Sequence, residues 1–237
     1  MPETKSYETI AANVAAVREN MRRAAEAAGR DPGEITLVAA TKVQTSETIR
    51  NAIQAGITVC GENRVQELVA HLEDNAYEGA KVHFIGHLQT NKVKFVVGKV
   101  DMIESIDSEH LMDAVEKQAA KLDVTQDILL EVNIGGEESK SGFAPEDILP
   151  AAEAALTRPH IRVQGLMTIP PVETEPGGNI PYFEKVRELY VDMNQKMFHN
   201  ELKYLSMGMS GDFEEAIRAG ATMVRVGTAI FGARHYV

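Results

Sequence analysis

One cysteine, Cys60, is all that the 237-residue chain contains. That scarcity excludes a disulfide framework and a thiolate zinc site, and it fits a reducing compartment, the cytoplasm by default. Long apolar runs are missing too. No stretch reaches the about 18 apolar residues of a membrane span, and the opening MPETKSYE is polar where a secretion signal carries a basic start and an apolar segment. Neither membrane insertion nor secretion is expected. Positive charge is in short supply, with 24 Lys and Arg against 35 Asp and Glu for a net charge of −11. That balance argues against sequence-independent nucleic-acid binding, which needs a surplus of cations against phosphates, and leaves open a small local anion site. What the chain does have is a 44% hydrophobic fraction, typical of an ordered globular domain and not of a disordered one. Its length allows one or two domains of about 150 residues, but closed α/β barrels run to about 250 as a single unit.

Ile10, Val14, Val17, Met21 and Ala28 recur at helical spacing through residues 7–28, and Gly29 with Asp31, Pro32 and Gly33 ends that segment. Short β-branched runs follow near 35–40, 57–60, 82–85, 100–104, 128–133, 162–167, 203–206 and 222–226. Between most of them lie stretches of helical period, at 46–55, 62–72, 108–121, 146–156, 182–198 and 212–219, with a shorter segment near 90–98. Strand–helix alternation implies parallel pairing with helices outside, and eight such units can close without leaving an edge. The expected fold is therefore of the α/β class: a single (β/α)8 TIM barrel from about residue 35, one domain over 1–237, with an extra N-terminal helix at 7–28. An open doubly wound sheet is the alternative, weakened because no GxGxxG follows the first strand. The Pro/Gly-rich stretch 170–181 reads as a loop within the domain, between the sixth strand and its helix.

Chemistry in such barrels sits where strands end and loops begin. In TLVAATKV (36–43), alternation puts Val38, Ala40 and Lys42 on one face. If that face is the lumen, Lys42 is partly desolvated, which lowers a lysine pKa and frees the amine to form an imine with a carbonyl. The plain alternative is a lysine reaching out to solvent. In VRVGTAIFGAR (224–234), Val224 and Val226 share one face while Met223, Arg225 and Gly227 share the other. Arg225 then points inward and needs an acceptor: a ligand's phosphate or ring nitrogen, or an internal partner such as Glu62 or Glu131. In LSMGMSGDF (205–213), Gly208 and Gly211 let backbone approach a ligand, and Ser206 and Ser210 add hydroxyls. With Gly227 and Thr228 this is where many barrels bind phosphate. The same segment also reads as a tight turn, with Asp212 and Glu215 capping a helix.

Other strand ends say less. Asn63 could hydrogen-bond a ligand edge, His83 could orient a base or satisfy a backbone carbonyl, and Lys140 could reach a substrate anion or stay solvated. His83 and His87 are four apart, but Gly86 and the strand-to-loop setting spoil a metal-binding helix face, so no metal is expected. Taken together, an imine-forming amine, a phosphate cradle and a buried arginine describe a receptacle for pyridoxal 5′-phosphate. The aldehyde would meet Lys42, the phosphate the 206–210 and 227–228 loops, and the pyridine nitrogen Arg225.

The segments VAATKV, GENRVQE, HFIGHLQTNK, the KSG at 140–142, GLMTIPP, LSMGMSGDF and VRVGTAIFGAR occur in an order and spacing that covers nearly the whole chain. This pattern resembles the pyridoxal phosphate homeostasis proteins, also known as the YggS or proline-synthetase co-transcribed family. The resemblance implies a barrel like the N-terminal domain of alanine racemases, the fold-type III arrangement, with pyridoxal phosphate on Lys42 as an internal aldimine. It implies phosphate contacts from Ser210 and the Gly227–Thr228 backbone, Arg225 at the pyridine nitrogen, and Asn63 and Ser206 lining the pocket. It also implies a protein that buffers or delivers the vitamin B6 cofactor and influences amino-acid and keto-acid balance without a settled reaction. Two residues depart from the family's pattern. Arg64 stands where many members carry tyrosine and His87 where many carry proline, which bears on loop shape and pocket access.

Binding need not mean catalysis. An arginine leaves the pyridine nitrogen unprotonated and the ring a weaker electron sink, which disfavours transamination. A two-base racemase needs a second acid or base opposite the lysine, and no residue claims that role by motif; Tyr182, Tyr204 and Tyr236 lie outside such motifs. The leading expectation is a cofactor-binding regulatory protein that exchanges pyridoxal phosphate, with cofactor-accepting apo-enzymes as transient partners. A low-activity amino-acid racemase and a Schiff-base aldolase on phosphorylated substrates are the alternatives. The resemblance supplies no second domain or partner-borne tyrosine to require a dimer, so a cytoplasmic monomer is expected, with negative charge helping to keep copies apart.

Overall fold

The computed structural model describes residues 4–137, 140–172 and 175–232. Tyr236 and the last two residues of the final motif, Ala233 and Arg234, lie outside them. Among the described residues, eight parallel strands close into a barrel in sequential order: β1 (Thr36–Ala40), β2 (Val59–Glu62), β3 (Lys81–Phe84), β4 (Met102–Ile106), β5 (Gln126–Val132), β6 (Ile161–Thr168), β7 (Tyr204–Ser206) and β8 (Met223–Val226). β8 returns to pair with β1 through Thr36–Met223, Leu37–Val224, Val38–Arg225 and Ala39–Val226. The expected barrel is the observed one.

The helices are α1 (Tyr7–Ala27), α2 (Ser46–Gln54), α3 (Val65–Glu73), α4 (Glu109–Leu122), α5 (Ile148–Leu156), α6 (Ile180–Met197), α7 (Phe213–Arg218) and the short α8 (Thr228–Phe231). The segment near 90–98 is a 3₁₀ helix at Thr90–Phe95. α1 starts where the Ser6 hydroxyl accepts from the Thr9 amide at 3.3 Å, and it buries the stripe Ile10, Val14, Val17, Met21, Ala24 and Ala25. It lies outside the β8–β1 closure, against α2, α7 and α8, and Asn13 Nδ2 ties it to the Ile230 carbonyl at 2.8 Å.

Alternation along the strands divides the apolar residues between two regions of very different size. Leu37, Ala39, Cys60, Phe84, Leu130, Val224 and Val226 join one large core between barrel and helices. Among the described residues the lumen holds two small clusters, Val38 with Val59 and Met223, and Met102 with Leu129 and Met167. Fully burying Phe84 or a comparable side chain in the outer layer contributes about 1.5–3 kcal/mol, so most of the cohesion lies outside the barrel wall. Cys60 is part of that layer; burial, with the Glu62 charge adding to it, pushes its thiol up to about 12 and leaves it unreactive.

Two strand positions differ from the sequence expectation. β2 runs to Glu62 and β4 to Ile106, each beyond the expected end. Gly61 and Glu62 look like turn residues, but the strand continues through them because the wall is tightly packed there. A Cβ on Gly61 would come within 2.8 Å of both Val38 Cγ1 and Ile85 Cδ1. In β4 the polar Glu104 and Ser105 are buried in the sheet. Pro181, inside the expected loop, is instead in the first turn of α6, where its missing amide costs nothing.

Candidate functional site

The C-terminal ends of the strands surround a cavity of about 540 Å³. Lys42 follows β1, Asn63 follows β2, Gly86 follows β3, Glu131 lies near the end of β5, and Ser210, Arg225, Gly227 and Thr228 come from the ends of β7 and β8; all line it. A larger cavity of about 1160 Å³ opens at the opposite mouth, among the first residues of the strands and the α5–β6 turn. Its size is not a functional argument, since barrel chemistry belongs to the C-terminal face.

Lys42 is half-buried, as lumen alternation requires. The next residue, Val43, has φ +63°, a left-handed conformation that a β-branched side chain resists. Its amide donates to Glu67 Oε2 on α3 at 2.7 Å, and that bond holds the kink beside the amine. Asn63 is set by a close backbone approach from the next loop: a Cβ on Gly86 would come within 2.7 Å of its Cα and Cβ. Asn63 Oδ1 is buried with no hydrogen-bond partner among the described residues. The carboxyl of its neighbour Glu62 is fully buried, accepts from the Asn63 amide at 2.8 Å, and is pushed up to about 7 by burial.

Ser210 Oγ accepts from the Gly227 amide at 3.1 Å and the Ala229 amide at 3.3 Å, so a hydroxyl and two amides of the loop entering α8 converge. Asp212 does not cap α7 through its side chain. Its carboxylate accepts instead from the Met209 amide at 2.6 Å and Asn179 Nδ2 at 2.9 Å.

Arg225 is buried, and neither of the carboxylates suggested by sequence pairs with it among the described residues. Nη1 donates to Ser206 Oγ at 2.6 Å and Nη2 to the Thr168 carbonyl at 2.8 Å. Ser206 therefore stands behind Arg225 and is not among the residues that line the cavity. Its own proton goes to Glu104 Oε2 at 2.6 Å, so both sides of the hydroxyl are engaged. Among the described residues, the hydrogen bond of His83 goes to neither a cavity base nor a backbone carbonyl; its Nδ1 lies 2.7 Å from Glu104 Oε1.

Glu131, named from sequence only as a partner for Arg225, is a cavity residue in its own right. Burial, then the Asp107 charge, pushes its carboxyl up to about 7 against the pull of Arg225 and His87. His87, one of the two departures, lines the cavity, as does Lys140, with His87 Nδ1 3.0 Å from Asp107 Oδ2 and the ring largely exposed. Arg64 points away to an exposed pair with Glu67 at 3.1 Å. Sequence reasoning missed Glu104 altogether. The signal available was a glutamate in the middle of an otherwise apolar strand, MIESI.

Comparison with known proteins bears on this geometry. The alanine racemase N-terminal domain family matches residues 12–235. The chain is 46% identical over 220 residues to a pyridoxal phosphate homeostasis protein of Aquifex aeolicus, covering 93% of this chain and 96% of that one. It is similar to the structure of PipY of Synechococcus elongatus with PLP bound, at a TM-score of 0.81 and 30% identity over 94% of this chain and all of that one. An alanine racemase of Streptomyces coelicolor shares the fold at a TM-score of 0.75 and 20% identity, the match covering 96% of this chain and 59% of the racemase.

Proposed function

Because the chain belongs to the pyridoxal phosphate homeostasis proteins, within the alanine racemase N-terminal domain family, we propose that it binds pyridoxal 5′-phosphate reversibly at the C-terminal mouth and serves cofactor homeostasis without a reaction of its own. The observation that carries this reading is the convergence on one cavity of an amine, a hydroxyl-and-amide cradle and a buried guanidinium. The residues present suit the group. A cavity of about 540 Å³ lies within the usual range of about 300–1,000 Å³ for small-ligand sites. Asn63 Oδ1, buried without a partner among the described residues, is open to a donor from a cavity ligand. Two of the five Arg225 N–H donors are engaged among the described residues, which leaves others for a cavity ligand.

When bound, the cofactor supplies an aldehyde and an electron-withdrawing ring. Lys42 provides the amine that would hold the aldehyde carbon, and Ser210 with the 227–229 amides would bind the phosphate. Arg225 keeps its own proton, so it would orient a ring nitrogen without protonating it and would not promote electron withdrawal. A monomer in the cytoplasm that passes the cofactor to apo-enzymes completes the reading; no helix among the described residues is long and apolar enough to cross a membrane.

Borohydride treatment of the cofactor-loaded protein is expected to fix the cofactor covalently to Lys42, with the mass gain mapped to its peptide, and Lys42→Ala is expected to lose both the gain and the visible band. Equal trapping in Lys42→Ala overturns the assignment. One observation favours a second reading, a low-activity amino-acid racemase. Glu131 and Lys42 stand on the same cavity, on strands half a circuit apart, and the Glu131 carboxyl titrates near 7. That reading expects α-proton exchange from an amino acid into deuterium oxide, followed by proton NMR and lost in Glu131→Gln. No exchange across a broad amino-acid panel removes it.

A further inference from the structure

Four buried side chains form a continuous hydrogen-bonded path through the barrel interior, and two of them reach opposite mouths. His83 lines the cavity at the N-terminal end, and Arg225 lines the one at the C-terminal end. Between them His83 Nδ1 meets Glu104 Oε1 at 2.7 Å, Ser206 Oγ donates to Glu104 Oε2 at 2.6 Å, and Arg225 Nη1 donates to Ser206 Oγ at 2.6 Å. Their exposures are 4%, 0%, 0% and 4%, so water does not substitute for any bond along it.

We propose that Glu104 is a positioning residue for the cofactor ring: through Ser206 it fixes the plane of Arg225 and balances its charge, while His83 anchors the carboxylate from the other side. The inference rests on the reading in which Arg225 meets the ring nitrogen. The direction of each bond supports it. Serine has one hydroxyl proton, and with that proton committed to Glu104 only its lone pairs face Arg225. The guanidinium is thus met by an acceptor at Ser206 and by the Thr168 carbonyl, two fixed points that define its plane. A buried arginine without a nearby anion would leave a net positive charge under the ring, whereas Glu104 one residue away neutralises it. Burial acts to raise the Glu104 carboxyl, but the His83 hydrogen bond, the Arg225 charge and the Ser206 hydrogen bond outweigh it and hold the group below the usual carboxylate range. A carboxylate that merely filled space in a lumen would have no reason to collect donors from two different strands, β3 and β7, the second of which holds the arginine of β8.

The test compares the unaltered protein with Glu104→Gln, which keeps the shape and removes the charge, and Ser206→Ala, which cuts the path and leaves the His83–Glu104 pair intact. Thermal melts establish folding, and borohydride trapping on Lys42 measures loading independently of the spectrum. Both variants are expected to trap the cofactor, to show a displaced visible band, and to bind about tenfold more weakly, as for a lost charge-assisted hydrogen bond. In the cofactor-free protein, imidazole 15N NMR is expected to show the His83 Nδ1–H resonance shifted in Glu104→Gln. Should Glu104→Gln not fold, Ser206→Ala carries the test. Band and affinity unchanged in Ser206→Ala, with trapping intact, overturn the positioning role and leave the binding reading standing. No trapping in the unaltered protein overturns both.

Discussion

Glu62 shows how one side chain next to the site shapes the stability of the whole chain. Its carboxyl ionises near 4.5 when unfolded and near 7 in the fold, chiefly because burial penalises the charge. As pH rises from about 4.5 to 7 the unfolded chain releases this proton first, so folding weakens across that window and the loss is constant above it. Glu62→Gln removes the penalty. Its unfolding free energy is expected to exceed that of the parent by on the order of 3 kcal/mol at pH 8 and to converge with it near pH 4, measured by urea denaturation at several pH values. Parallel curves for parent and variant would refute the assignment. The same buried carboxyl holds the amide of Asn63, so this cost is borne at a cavity residue. At this scale the sequence revealed the residues that face the lumen by simple alternation, Lys42 and Arg225 above all. It did not reveal what they bond to. Glu104 and Ser206 are distant in sequence, and a contact across the barrel leaves no periodic trace.

Secondary-structure elements were legible where their hydrophobic rhythm is strong. α1 carries an uninterrupted stripe and a serine cap, and its limits lie within a residue of the expected ones. All eight strands could be counted, because most are short β-branched or aromatic runs between segments of helical period. Their ends were less clear in β2 and β4, where glycine, glutamate and serine imitate a turn while the barrel wall in fact continues. The four-residue α8 gave no sequence signal, since a single turn cannot show a period. Its start is nonetheless what brings the Gly227 and Ala229 amides together on Ser210, and α1 steadies its far end through Asn13. The phosphate cradle is thus made by an element too short to read and braced by the longest one.

Across the molecule, the two mouths differ in what a substitution there should do. Charged residues at the N-terminal mouth make local pairs, such as Arg162 with Asp127 at 2.6 Å, in which the arginine is 63% exposed. Arg162→Ala is therefore expected to cost less than about 1 kcal/mol and to leave cofactor affinity unaltered, read by thermal melt and by titration of the visible band. A changed affinity would mean that the two mouths communicate by routes other than His83 and Glu104.

The unequal division of apolar residues, a broad layer outside the wall and two small clusters within it, has its own consequence. A cask hooped from outside keeps its form whatever is painted on the inner face of its staves. Such a vessel can be refitted for a different guest by exchanging a few inward-facing groups, and its tolerance for ionised ones follows from where its strength resides.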